Sequence, residues 1–208
     1  MARHEYFLKQ SNQICKPGLI VPEMPLHIVA DLEQGRYYLG DTECGSELEL
    51  FALKFSHRIS TSDYGFASAG ALMGQLWFAP ISGSRHLPEN LVYHMLLANS
   101  KSGKRGGLMN FQQQATIAMS RGYDFREVVW MPRFVRRSGF TFYALSWEWR
   151  EPTLEELNKL DSCVSVLESN ADMGKLHDPT MEATSRCVDG MTQEEIEQLA
   201  KNLRRYRQ

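Results

Sequence analysis

The spacing of apolar side chains changes period several times along this chain, and the changes mark out its elements. From Glu47 to Ile59 apolar and polar residues alternate. Phe51, Leu53, Phe55, His57 and Ile59 are expected on one face of a long strand, and Lys54, Ser56 and Arg58 on the other. Arg36 to Leu39 reads as a short strand before it, separated from it by a turn cluster at 41–46. A loop rich in Ser, Gly and Ala over 60–74 leads to a strand at 75–81 (QLWFAPI). A second loop at 82–90 leads to 91–98 (LVYHMLLA), apolar on both faces as in a buried strand. At 108–121 the period becomes helical, with Leu108, Phe111, Ala115, Ala118 and Met119 near one face and Gly122 as the stop. Two strands follow, 128–137 and 140–150, joined at Ser138-Gly139. In the second, Thr141, Tyr143, Leu145, Trp147 and Trp149 share a side.

The ends differ in character. Residues 1–35 carry Pro17, Pro22 and Pro25, and proline fixes φ and donates no hydrogen bond. An extended arm is expected there, with at most a short strand at Leu26–Val29. After Pro152, Thr153 and Glu156 form a capping box that should open a helix running to about Leu167, with Leu154, Leu157, Leu160 and Val164 as its apolar stripe. Residues 169–190 read as a flexible linker, and Thr192 with Glu195 as a second capping box before a short basic-ended helix. The expected division is an arm at 1–35, a domain at 36–151 and a helical tail at 152–208.

From Glu47 to Arg150 the order is strand, strand, strand, helix, strand, strand. This resembles an OB-fold, a five-stranded Greek-key barrel with a helix between its third and fourth strands. The expected class is therefore α+β, mainly β, with a helical C-terminal tail. The resemblance covers about half the chain and rests on element order. It implies similarity to bacterial, plasmid or phage single-stranded DNA-binding proteins, and so a part in DNA replication, repair or recombination. Housekeeping members end in an acidic tail, whereas this sequence ends LRRYRQ, which turns the expectation toward an accessory or mobile-element form.

Charge sharpens this picture. The net charge is −2, but residues 101–150 hold nine basic residues (Lys101, Lys104, Arg105, Arg121, Arg126, Arg133, Arg136, Arg137 and Arg150) against three acids. Such asymmetry suggests a basic face. Aromatic residues interleave with it. Single strands are held by bases stacked on aromatic faces while cations follow the phosphates. Tyr143, Trp147 and Trp149 are the candidate stacking residues, and Arg133, Arg136 and Arg137 the candidate phosphate contacts. The loop at 99–107 adds Lys101, Lys104 and Arg105 among glycines that let backbone approach a phosphate. It is not a Walker loop, since Lys104 is followed by Arg105. Tyr38, with Arg36, is a further stacking candidate, because adjacent Tyr37 and Tyr38 point to opposite faces.

Catalytic patterns are weak. Six histidines show no HxH or HxxxH spacing, GxSxG is absent, and His57 and His94 lie in strands where core histidines are the simpler reading. Glu47 and Glu49 share a strand face, which charged alternation explains more simply than a metal site. No catalytic residue, metal or cofactor is expected. Cys15, Cys44, Cys163 and Cys187 form neither a CxxC pair nor a disulfide framework, which fits free thiols in a reducing compartment. The N-terminal MARHEYFLKQ lacks the apolar run of a signal peptide, and no stretch is apolar over a membrane-spanning length, so a cytoplasmic location is expected. The expected partner is single-stranded DNA, with RNA as an alternative. A non-catalytic assembly subunit, docking on a protein or a second copy through 153–208, is the competing expectation.

Overall fold

The computed structural model describes residues 26–63, 68–82, 86–89, 91–98, 107–136, 138–139, 141–158, 160, 176 and 178–205. Among the described residues nine strands form one sheet: β1 Leu26–Asp31, β2 Arg36–Leu39, β3 Thr42–Glu43, β4 Glu49–Ser60, β5 Leu72–Ser82, β6 Tyr93–Ala98, β7 Val129–Arg136, β8 Tyr143–Arg150 and β9 Ser185–Cys187. Helix α1 spans Gly107–Ser120, α2 Pro179–Thr184 and α3 Gln193–Arg205. The spatial order is β3-β2-β1-β6-β5-β4-β7-β8, with β9 on the edge of β4 that β7 leaves free. All neighbours are antiparallel except β1 and β6. Strands β4, β5 and β6 form a meander, and β7 returns through α1 to lie beside β4, which is a Greek key. The class is thus α+β and mainly strand.

The sheet curls until its two ends meet. Tyr143 N–H donates to Leu32 O at 2.7 Å, and Tyr37 Oη–H donates to Pro132 O at 2.9 Å. Helix α1 closes part of the remaining gap, its Asn110 Oδ1 accepting Trp147 N–H at 2.5 Å. The concave side holds an apolar core from every layer: Ile28, Leu50, Leu76, Phe78, Tyr93 and Met95 from the sheet, with Leu108 and Phe111 from α1. Phe111 lies 4.7 Å from Trp130 and 4.9 Å from Trp147 between ring centroids. Burial of side chains this large, at about 25 cal/mol per Å² of apolar surface, dominates the stability of the curled sheet.

Several boundaries differ from those read in the sequence. Residues 26–31, assigned to the arm, are a full strand inside the sheet; residues 1–25 lie outside the described residues. Strand β5 begins at Leu72, inside the expected loop. The face expected to unite Phe51, Leu53, Phe55, His57 and Ile59 is broken by a β-bulge, because Ala52 pairs with Phe78 and Lys54 with Trp77, leaving Leu53 extra. Phe51 and Leu53 therefore pack on the convex side, and Phe55 in the concave core.

The expected flexible linker at 169–190 is corrected for its described part. Residues 178–190 form α2 and β9 and press Met181 onto Met73 and Val188 onto Ile59. Both capping boxes are present: Glu156 N–H donates to Thr153 Oγ1 while Thr153 N–H donates to Glu156 Oε2, and Thr192 with Glu195 does the same. Of the stripe expected after Thr153, Leu160 turns inward and Leu157 is half-buried, while Leu154 is 75% exposed. Leu160 packs on Phe51, Ile81 and Val129, and Ile196, Leu199 and Leu203 of α3 pack beside Ile59 and Leu72. No helix among the described residues is long and apolar enough to cross a membrane.

Candidate nucleic-acid interface

Cross-strand register decides which of the expected site residues can meet a ligand. On the β7–β8 hairpin, Arg136 lies opposite Tyr143, Phe134 opposite Leu145, Pro132 opposite Trp147 and Trp130 opposite Trp149. Partners opposite one another share a face, and this one looks into the core. Trp147, at its centre, is 1% exposed, so its candidate role as a stacking residue is corrected to a core position. The cause is α1, whose Phe111 packs on that face.

At the two ends of the same row the core runs out. At one end Trp149 is half-buried beneath Arg121, whose guanidinium carbon is 5.4 Å from the ring centroid, with the Tyr123 ring 5.7 Å away. Arg121 enters the sequence reading only as one of the nine basic residues and Tyr123 not at all, because they sit in the turn after α1 and are brought to Trp149 only by the helix packing. At the other end Tyr143 is half-buried and Arg136 exposed. Tyr143 stands edge-on to Phe134, at 6.4 Å, and its ring lies against Gly35 of the β1–β2 turn. Gly35 has φ +67°, and a Cβ there would lie 3.1 Å from the Tyr143 ring, so the close approach and the backbone both call for glycine. Arg136 makes no ion pair among the described residues, and the hairpin turn between it and Tyr143 carries Arg137, outside the described residues, as are Lys101, Lys104 and Arg105.

The remaining expected residues point elsewhere. Arg133 lies on the convex side of β7 and pairs with Glu148 at 3.2 Å. Tyr38 also faces the convex side, half-buried, its hydroxyl donating to Gln34 Oε1 at 2.7 Å. Arg150 is held by Glu49 at 2.6 Å and Glu156 at 2.7 Å, which explains Glu49 as a structural partner. The Arg150 guanidinium holds the Glu156 carboxyl down at about 2.

Two histidine clusters lie outside this row. His57 Nδ1 donates to Asp189 Oδ1 at 3.3 Å, which leaves Nε2 to accept from the Gln112 amide at 2.6 Å. Gln112 of α1 is thereby tied to β4. His94 is fully buried, its ring stacked 4.7 Å from Trp77 and 4.8 Å from His27. Burial, with His27 beside it, pushes His94 down to about 3, and burial lowers His27 as well. Neither cluster makes a metal centre: among the described residues no group of three or more His, Cys, Asp or Glu is placed to hold an ion. Cys44 is buried, its Sγ 3.4 Å from Thr42 O, and Cys187 is exposed.

No family model, curated protein or solved structure matches this chain.

Proposed function

We propose that this chain binds single-stranded nucleic acid, single-stranded DNA foremost, with little sequence preference. The Greek key of β4 to β7, with α1 between β6 and β7 and β8 beyond, has the element order of an OB-fold. That fold binds oligonucleotides through the face of its second and third strands and the loops after its first and fourth. The observation that carries the reading is the pairing of Arg136 with Tyr143 at the exposed end of the β7–β8 hairpin. A cation without an acidic partner among the described residues stands beside a half-exposed ring, and the turn joining them is the loop after the fourth strand. A base stacked on Tyr143 puts its phosphate within reach of Arg136, and every base offers a face to stack.

The competing reading, an assembly subunit docking through the C-terminal helices, has less support. The apolar residues of α3 and Leu160 are engaged on the protein's own sheet.

Tyr143→Ala and Arg136→Ala, compared with Trp147→Phe in fluorescence anisotropy with a labelled oligothymidylate, test the site. The first two should weaken binding and the third should leave it unchanged. Equal affinity for all three variants and the native chain overturns the assignment.

A further inference from the structure

Helix α1 carries no charged side chain in its 14 residues, although charged residues make up 23% of the chain. Leu108, Phe111 and Ala118 hold its inner side on the core. Its outer side presents Met109, Gln113, Thr116 and Ser120, all exposed. Their spacing of four, three and four residues lines them up as one seam. Met119 flanks the seam; Met109 is 61% and Met119 64% exposed. Helix α3, of similar length, shows the ordinary alternative, with Glu194, Glu197, Lys201 and Arg205 exposed to water.

The absence of charge narrows what can cover this seam. A single strand would find no cation on it for its phosphates, and a lipid surface would find no basic face. A different protein could match a charge of either sign with its opposite. A second copy of this chain cannot, because a two-fold contact sets each residue near the axis against itself, and any charge there meets a like charge. The polar groups that remain suit such a contact. The Thr116 hydroxyl donates to Gln112 O at 3.0 Å and the Ser120 hydroxyl to Ile117 O at 2.8 Å, so both lose little when water is excluded. The Gln113 amide both donates and accepts, and can pair with its own image. Loss of charge together with exposed methionine is also the composition of interface centres.

We propose that α1 is the self-association face of this protein, packing antiparallel on α1 of a second copy about a two-fold axis near Gln113 and Thr116. Antiparallel packing sets the N-terminus of each helix beside the C-terminus of the other, which suits their dipoles. The helix is about 21 Å long, so its seam alone is smaller than the ~800 Å² per partner of a standard stable interface. The dimer is therefore weak, with dissociation in roughly the micromolar range. Self-association through α1 uses no residue of the Arg136–Tyr143 site and stands apart from the single-strand reading.

Sedimentation equilibrium of the full chain, up to about 200 µM, is the test. The mean mass should rise with concentration from 23.9 kDa toward twice that value. Gln113→Glu and Gln113→Lys each set like charges against each other at the axis and should weaken the dimer at least about tenfold. Leu154→Glu, at a 75% exposed leucine outside α1, should leave it unchanged. Thr116→Cys on a Cys187→Ser background should form a reducible disulfide-linked dimer in air, which the background protein alone should not. A chain that is monomeric at every concentration overturns the proposal. So does a dimer that both Gln113 variants leave as tight as native, which would place self-association on another face.

Discussion

The ring of Tyr143 rests on the Cα of Gly35, at the point where the two ends of the curled sheet meet. A Cβ on Gly35 would be 3.1 Å from the ring carbons, in a backbone conformation of φ +67° that side chains rarely adopt. Gly35→Ala should therefore destabilise the fold by about 1–2 kcal/mol in urea unfolding. It should also weaken oligonucleotide binding by displacing Tyr143. The two effects share one contact, so Gly35→Ala added to Tyr143→Ala should cost binding little beyond Tyr143→Ala alone. Full additivity would separate the turn from the site.

Arg133 and Arg136 lie on the same strand and are both exposed, but among the described residues only Arg133 has an acidic partner, Glu148 at 3.2 Å. Replacement of Arg136 by alanine should reduce the slope of log affinity against log salt by about 0.7, the contribution of one phosphate contact to a single strand. Arg133→Ala should change the slope much less. Equal slopes for native and Arg136→Ala would remove Arg136 from the interface.

Trp147, one of the three candidate stacking residues by position, is structural. Its truncation to alanine opens a hole against Phe111 and Trp130 and should cost about 3–5 kcal/mol, read as a lowered urea midpoint or failure to fold. Trp149→Ala should be milder, because that ring is only half-buried under Arg121. A Trp147→Ala protein of native stability would contradict the placement of this strand.

These tryptophans show where the sequence was informative. Alternation along 140–150 correctly grouped Tyr143, Leu145, Trp147 and Trp149, yet nothing local says that α1 lies on their side. The capping boxes at Thr153 and Thr192 were readable because all their atoms lie within four residues. The bulge at Leu53 was not, since it is defined by the partner strand, and it turned Phe55 away from Phe51. Helix α2 has six residues and gains its stability by packing Met181 on Met73, so periodicity could not reveal it. The row of His27, His94, Trp77 and Lys54 depends on a parallel pairing of β1 with β6, brought together across more than sixty residues.

The same row predicts an acid sensitivity. Facing His94 are His27 from β1, Gln75 and Trp77 from β5, Lys54 from β4 and Asp178 beside α2. Both histidines are neutral in the folded chain, with His94 down at about 3, whereas in the unfolded chain they protonate near 6.5. The unfolded state then binds more protons below that value, so stability should fall as pH drops from about 6.5 toward 3. Glu156, held at about 2 by Arg150, adds a loss only below the ordinary carboxyl range near 4.5. Urea unfolding at pH 7 and pH 5 should show a clear decrease that is much smaller in a His27→Gln, His94→Gln double variant. An unchanged decrease in that variant would assign it to other groups.

The central claim is single-strand binding, and equilibrium anisotropy of the native chain addresses it most directly, using labelled single-stranded DNA, double-stranded DNA and single-stranded RNA of equal length at two salt concentrations. The account predicts that single-stranded DNA binds more tightly than the duplex and that affinity falls as salt rises. No binding at low salt, or equal binding to single and double strands, would contradict it.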